Sequence, residues 1–299
     1  MTKLRRTFMM TPLLDDYKVN KAANCAVDAV VLDLEDGIHP ERKVEARHRA
    51  AELVRTINWN GKDIVVRVNH MNTAAARDDI LAVAPSLPSA IFLPKVDDPK
   101  EIIDAAAVLD GVKGAASVRL WGLIESARGL VNVERIAMAH PRLSALVLGP
   151  GDLSADLNLN VRRYTTTGED GLGAEILYAQ SRLVAACRAA GLSPMTGVAT
   201  VTRDAEGVEK EARYLFRLGF DTVAAFTPAM VEAVHRAYVP SKADQEWADQ
   251  VVRMQEEKAR DQATFGVIDG AMVDGPFFRG ARAIQERVRS SAQVEGGRS

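Results

Sequence analysis

The chain has 299 residues, 47% hydrophobic and 26% charged, with a formal net charge of -2. These are ordinary globular proportions, and the length fits one α/β barrel plus an extension, or two medium domains. The near-neutral charge gives no reason to expect nucleic acid or membrane as a partner, and Cys25 and Cys187 are too few and too far apart for a disulfide framework or a thiolate metal site, which points to a reducing compartment.

The first segment, Met1 to Thr7, is basic, but the apolar stretch Phe8 to Leu14 is short for a signal-peptide core. Asp15-Asp16 ends it without a small-residue cleavage site. No apolar run approaches the roughly 20 residues of a membrane span, so a soluble cytoplasmic protein is expected. Short apolar runs recur from there: Thr7 to Thr11, Ala29 to Leu34, Ile64 to Val68, Ala90 to Leu93, Val118 to Ile124, Ser144 to Leu148, Pro194 to Val198 and Thr222 to Phe226. Most are nearly continuous rather than alternating, as expected of parallel strands covered on both faces. The segments between them read as helices. Pro40 suits a first helical turn, and Val44, Arg47, Ala51 and Val54 follow it at helical spacing up to Ile57. Asp98 reads as the N-cap of a helix ending near Leu109. The helices Ala174 to Ala190 and Thr202 to Leu218 each stop at a glycine suited to a C-cap, Gly191 and Gly219. Repeated βα units predict a (β/α)8 TIM barrel. The alternative is a doubly wound open sheet, but the first βα turn lacks its glycine-rich phosphate loop.

The barrel is expected over residues 1–240, closing with a helix from Met230 to Tyr238. Residues 241–288 form a C-terminal helical extension, with Trp247, Val251 and Met254 on one face and a final helix from about Phe277 to Val288. It reads either as a strut on its own barrel or as an arm contacting a neighbouring subunit. Residues 289–299 are rich in Ser, Gly and charge and read as a disordered tail.

In a parallel barrel, the loops beyond the strands' C-terminal ends converge on one face, where active sites form. Glu125 closes the fifth run, and Asp152 follows the sixth after the turn Gly149-Pro150-Gly151. Mg²⁺ takes oxygen ligands and usually only one or two carboxylates, so this pair is a candidate Mg²⁺ site. Each acid alone also reads as a helix N-cap. No cluster with zinc spacing occurs, and the five histidines read as mostly solvent-facing. The second run ends Leu32-Asp33-Leu34-Glu35-Asp36-Gly37. Asp33 lies inside the run and needs a buried partner. Asp36 either opens a turn with Gly37 or serves a site with Glu35. Arg67, flanked by valines in the third run, needs an anion, either structural (Glu35 or Asp33) or the substrate. Lys95 ends the fourth run and could form a Schiff base or hold an anion. An ion pair with Glu35 is the favoured reading.

These strand ends, in this order, resemble the citrate lyase β-subunit-like family within the wider group of HpcH/HpaI-type aldolases. The matching stretches are Arg5-Arg6-Thr7, Ala29 to Gly37, Arg67-Val68-Asn69, Leu93-Pro94-Lys95-Val96, Ile124 to Gly129, Gly149 to Ser154, and Asp269 to Asp274. The resemblance implies a Mg²⁺-dependent barrel that makes or breaks a carbon–carbon bond in β-hydroxyacyl-CoA thioesters such as malyl-, citramalyl- or citryl-CoA, with thioester hydrolysis in some members. It implies Glu125 and Asp152 as metal ligands, Arg67 as the grip on the keto-acid carboxylate, and Glu35 and Asp36 as the acidic pair beneath the site. It places Arg6 and Lys21 near the CoA moiety and makes Asp274 an acid/base offered by a neighbouring subunit of a homo-oligomer, a trimer or hexamer. Two positions depart from the family: Thr227 stands where a histidine is frequent after the eighth strand, and Ala271 where a lysine is frequent. Both concern the acyl-thioester side. The loop Asn158 to Gly173, with Arg162-Arg163-Tyr164, either holds CoA phosphates or an acyl-carrier partner or is a solvated surface loop. Two other functions compete: a CoA-independent pyruvate or glyoxylate aldolase, and a non-catalytic subunit of an acyl-carrier complex.

Overall fold

The computed structural model describes residues 4–160, 173–197, 204–260 and 265–296, excluding the side chains of 258–260 and 293–296. The chain divides into two compact units, Met1–His235 and Arg236–Ser299. The first contains eight parallel strands: β1 (Thr7–Thr11), β2 (Ala29–Asp33), β3 (Asp63–Arg67), β4 (Ala90–Leu93), β5 (Arg119–Ile124), β6 (Leu143–Leu148), β7 (Ser193–Thr196) and β8 (Thr222–Ala224). Each pairs with its neighbour in sequence, and β1 pairs with β8 through Thr7↔Val223 and Phe8↔Ala224. The sheet is therefore a closed barrel, and the open-sheet alternative falls.

The apolar runs are continuous for a visible reason. In β2, Ala29 and Val31 belong to the cluster inside the barrel, while the alternate residues Val30 and Leu32 are equally buried on the other face. Trp121 fills the interior, meeting Phe8 and Phe92 edge-on at centroid distances of 6.1 and 5.9 Å. Alanines at 29, 90, 145 and 224 share the same interior cluster, so small side chains balance the one indole.

The helices of this unit are α1 (Asp16–Asn24), α2 (Lys43–Thr56), α3 (Ala74–Val83), α4 (Pro99–Asp110), α5 (Ala127–Val131), α6 (Val133–Ala137), α7 (Pro150–Asp156), α8 (Gly173–Ala190) and α9 (Ala205–Leu218); α10 (Pro228–Tyr238) runs across the boundary. Asp98 caps α4 by accepting from Lys100 N at 2.9 Å, and Gly219 ends α9 at φ +110°. The buried face of α2 differs from expectation. Ala46, Ala50, Ala51 and Leu53 are buried, while Val44 is 59% exposed. Small alanines let the helix lie close to its neighbours, and a period read from larger aliphatics points to the wrong face. Val198, Thr202 and the Arg162 loop lie outside the described residues. No helix among the described residues is long and apolar enough to cross a membrane.

The second unit holds α11 (Lys242–Arg260), the antiparallel hairpin β9 (Gly266–Ile268) and β10 (Ala271–Val273), and α12 (Gly275–Gly296). Asp269 and Gly270 turn the hairpin with both φ angles positive, as a type I′ two-residue turn requires. Val251, Val273, Phe278 and Ala281 form its core with Trp247 and Met254 packed against them, so the predicted apolar face of α11 is used. The helix expected to stop at Val288 continues to Gly296, through most of the stretch read as a disordered tail. Ser290 and Ser291 bond back to the Arg287 carbonyl and stay within the helix, so their polarity does not break it.

Candidate functional site

The C-terminal ends of β2 to β6 gather the strand-end residues into one connected cluster. Asp33, the last residue of β2, is buried and saturated: it accepts from the backbone N–H groups of Glu35 and Gly37, and from Arg67 Nε and Nη2 at 2.7 and 2.8 Å. Burial alone would raise its pKa, but Arg67's hydrogen bonds and charge, with the two N–H groups, hold it below the usual carboxylate range. The partner that Asp33 needs is therefore Arg67, the register neighbour on β3.

Arg67 has further capacity. Of its five N–H donors, two go to Asp33. Its Nη1 lies 2.8 Å from Glu35 Oε2, yet that oxygen is buried and accepts no hydrogen bond. The contact is thus electrostatic, and the outer guanidinium edge retains donors. Burial opposes the charge of Arg67, but Asp33, Glu35 and Asp36 outweigh it and raise its pKa. Glu35 is buried, and Lys43 Nζ holds the backbone beneath it through the carbonyls of Leu34 and Glu35. Asp36 is exposed and lies 3.7 Å from Lys95 Nζ.

Lys95 ties the two halves of the cluster together. Its Nζ donates to Glu35 Oε1 at 3.0 Å, and its backbone N–H donates to Glu125 Oε1 at 3.0 Å. The hydrogen bond to Glu35, with the charges of Glu35, Asp36 and Glu125, raises the ammonium pKa against partial burial. A lysine held protonated is a poor nucleophile, so the ion-pair reading stands over the Schiff base.

Glu125 follows β5 directly and is 6% exposed. Asp152 lies in the first turn of α7. Gly149, at the end of β6, makes their meeting possible: a Cβ there would sit 2.7 Å from Glu125 Cβ and 2.9 Å from its Oε2. Burial, then the contact with Asp152 and its charge, then Glu35 push the Glu125 pKa up to about 8, and only the Lys95 N–H opposes this. The contact and charge of Asp152 make ionised Glu125 costly, so the pair favours a cation. Among the described residues no group of three or more His, Cys, Asp or Glu side chains is placed to hold a metal ion, so the protein offers only the carboxylate pair. A pair of carboxylates, with water and substrate completing the shell, fits Mg²⁺.

The other sequence candidates fall elsewhere. Arg6 is 1% exposed and precedes β1, at the barrel's opposite end. Its backbone N and its guanidinium both bond Asp28, at 2.9 to 3.1 Å, so the structure does not bring it into the strand-end cluster. Lys21 borders a cavity of about 240 Å³ lined also by Met10, Thr11, Tyr17, Phe226 and Thr227, so the departing Thr227 faces that cavity. Asp274 follows β10 in the second unit, and its Oδ1 is buried with no hydrogen-bond partner among the described residues. The reading of histidines as solvent-facing fails twice. His235 bonds Thr7 Oγ1 at 3.0 Å, and His70 Nε2 lies 3.0 Å from the Lys95 carbonyl. His70 stands just past β3, so the strand-end rule that singled out the acids would have found it too.

The fold and this cluster define a barrel enzyme whose carboxylates and arginine converge on the C-terminal face. The profile of the HpcH/HpaI aldolase/citrate lyase family matches residues 6–228, and the chain belongs to that family, an enzyme of the carbon–carbon lyase type. It is 32% identical over 287 residues to the (3S)-malyl-CoA thioesterase of Cereibacter sphaeroides, covering 96% of this chain and 95% of that protein. It is 28% identical over 298 residues to citrate lyase subunit beta of Leuconostoc mesenteroides subsp. cremoris, covering 98% and 96%. Among solved structures, CitE from Mycobacterium tuberculosis in complex with magnesium, acetoacetate and coenzyme A superposes with a TM-score of 0.79 at 27% identity, covering 95% of this chain and 98% of that one.

Proposed function

We propose that this chain is a Mg²⁺-dependent lyase or synthase acting on a β-hydroxyacyl-CoA of the malyl-, citramalyl- or citryl-CoA kind, interconverting it with a 2-keto acid and an acyl thioester. The observation that carries this reading is the Glu125–Asp152 pair, which favours a cation, linked through Lys95 and Glu35 to an arginine that keeps free donors. Glu125 and Asp152 hold the Mg²⁺. When bound there, it supplies Lewis-acid polarisation of the keto-acid carbonyl. Arg67 fixes the keto-acid carboxylate with its outer N–H groups, and Asp33 and Glu35 fix Arg67. Asp36 and Lys95 keep Glu35 in its ionic setting.

In the cleaving direction the substrate hydroxyl loses its proton and its oxygen becomes the keto oxygen. The carbon–carbon bonding pair then passes to the thioester enolate, which takes up a proton at carbon to give the acyl thioester. Asp274, supplied by a neighbouring subunit of a trimer or hexamer, handles that proton. Lys21 lies beside the CoA moiety at the cavity bordered by Thr227. The setting is cytoplasmic. A second reading, thioester hydrolysis by the same site, is favoured by the similarity to a malyl-CoA thioesterase.

Incubating the protein with Mg²⁺ and each β-hydroxyacyl-CoA tests the reading. Keto acid plus acyl-CoA as products supports the lyase. Free hydroxy acid plus CoA with no keto acid supports the thioesterase, and cleavage of free hydroxy-keto acids without CoA overturns both in favour of a CoA-independent aldolase. If Asp274 acts between subunits, Asp274→Ala and Asp152→Ala proteins regain part of the activity when mixed and reassembled. No recovery would place the whole site within one chain.

A further inference from the structure

The turn after β4 is strained in a way that only a fixed partner explains. Lys95 adopts φ +51°, in the left-handed region that a lysine rarely occupies. This conformation sends its N–H to Glu125 Oε1 while its Nζ reaches Glu35 Oε1. The third polar group of the same residue, its carbonyl, lies 3.0 Å from His70 Nε2. That nitrogen also lies 3.1 Å from Glu101 Oε2, a buried oxygen that accepts no hydrogen bond. The Lys95 carbonyl can only accept, so Nε2 carries the proton and donates to it.

Glu101 is itself anchored into the loop beside the metal ligands. Its Oε1 accepts from Asp97 N at 3.2 Å, Asp97 makes a short hydrogen bond with Ser126 Oγ, and Ser126 is the residue after Glu125. Asn132 Nδ2 holds the Asp97 carbonyl at 2.9 Å. The chain of contacts runs from His70 through Glu101, Asp97 and Ser126 back to the backbone of Glu125.

From this geometry we infer that His70 is a positioning residue for the Mg²⁺ site: its Nε2–H pins the Lys95 carbonyl, holds the left-handed turn, and so aims the Lys95 N–H at Glu125 and the ammonium at Glu35. It touches neither substrate nor metal. The inference deepens the proposed function and rests on Glu125 and Asp152 as Mg²⁺ ligands.

The test compares wild type, His70→Ala and His70→Gln, reading Mg²⁺ affinity by calorimetry, kcat and KM, and thermal midpoint. Residues that orient metal ligands typically change affinity or activity about 10- to 100-fold. His70→Ala is expected to weaken Mg²⁺ binding and lower kcat within that range, leaving the thioester KM within about 2-fold because the CoA side is untouched. His70→Gln places an amide N–H near the same carbonyl and is expected to restore most of both. Unchanged Mg²⁺ affinity and kcat in His70→Ala would overturn the inference, as would a His70→Gln protein as damaged as the alanine variant with an equal fall in thermal midpoint, which marks a merely structural residue. Wild-type protein that binds no Mg²⁺ would remove the proposed function and the inference with it.

Discussion

Asp152→Ala is expected to lower turnover by about three orders of magnitude, the several kcal/mol that a catalytic cation contributes, and to weaken Mg²⁺ binding in the same variant. The fold should survive, because Asp152 is exposed on the first turn of α7, where its favourable interaction with the helix dipole is worth only about 0.3–1 kcal/mol. A second consequence has the opposite sign. In the metal-free protein Glu125 has a pKa raised to about 8 from an ordinary 4.5. The folded state therefore keeps a proton that the unfolded chain has released, and stability falls as pH rises between those two values. Removing Asp152 takes away part of that elevation, although burial keeps the rest. The metal-free variant should thus gain stability relative to wild type between pH 5 and pH 9 while losing activity throughout. Thermal melts with a chelator present, alongside steady-state kinetics with Mg²⁺, measure both. Full turnover in the variant would remove Asp152 from the metal site.

Arg67→Ala should be the most destabilising single change at the site. It leaves Asp33 buried without its cation and Glu35 with Lys95 alone, and breaking a buried pair in this way costs about 3–5 kcal/mol. The pH dependence follows from Asp33, whose pKa Arg67 holds below the ordinary carboxylate value. Its contribution is fully present above the unfolded-state pKa and is lost as pH falls through the folded one. The penalty of Arg67→Ala is therefore largest at neutral pH and shrinks in acid. Arg67→Lys keeps the charge but not the fork, since an ammonium cannot hold Asp33 at two oxygens and a carboxylate ligand at the same time. That variant should fold with an intermediate loss and show a keto-acid KM raised about 10-fold or more, the worth of a charge-assisted hydrogen bond. Urea titrations across pH and keto-acid saturation curves separate the two roles. An Arg67→Lys protein with unaltered keto-acid KM would assign the arginine to structure alone.

The barrel was legible because burial on both faces leaves a simple trace, an unbroken apolar run. Ala29–Asp33 and Arg119–Ile124 could hardly be anything else between helical segments. The site was legible for the related reason that charge at the end of such a run has few innocent explanations. What the linear chain hides is pairing at a distance. Arg6 lies among basic residues in a matching motif, and only the fold shows that Asp28 encloses it at the far end of the barrel. His70 looks like an ordinary loop histidine until the Lys95 carbonyl, 25 residues on, arrives beside it. The α2 face was misjudged because alanines, weak in any hydrophobicity reading, occupy the buried side. Ser290 and Ser291 fall in the stretch read as a disordered tail, yet each satisfies its hydroxyl within the helix.

The central claim, that buried Glu125 and exposed Asp152 together hold Mg²⁺, is tested most directly by titrating Mg²⁺ into the metal-free wild-type protein by calorimetry at pH 7, in buffers of different ionisation enthalpy. A carboxyl with a pKa of about 8 is mostly protonated at that pH, and a ligand must be deprotonated to bind. The account predicts specific binding with release of close to one proton per site, declining toward none as the pH is raised past the Glu125 pKa. Binding with no proton released at pH 7, or no saturable binding at all, would contradict it.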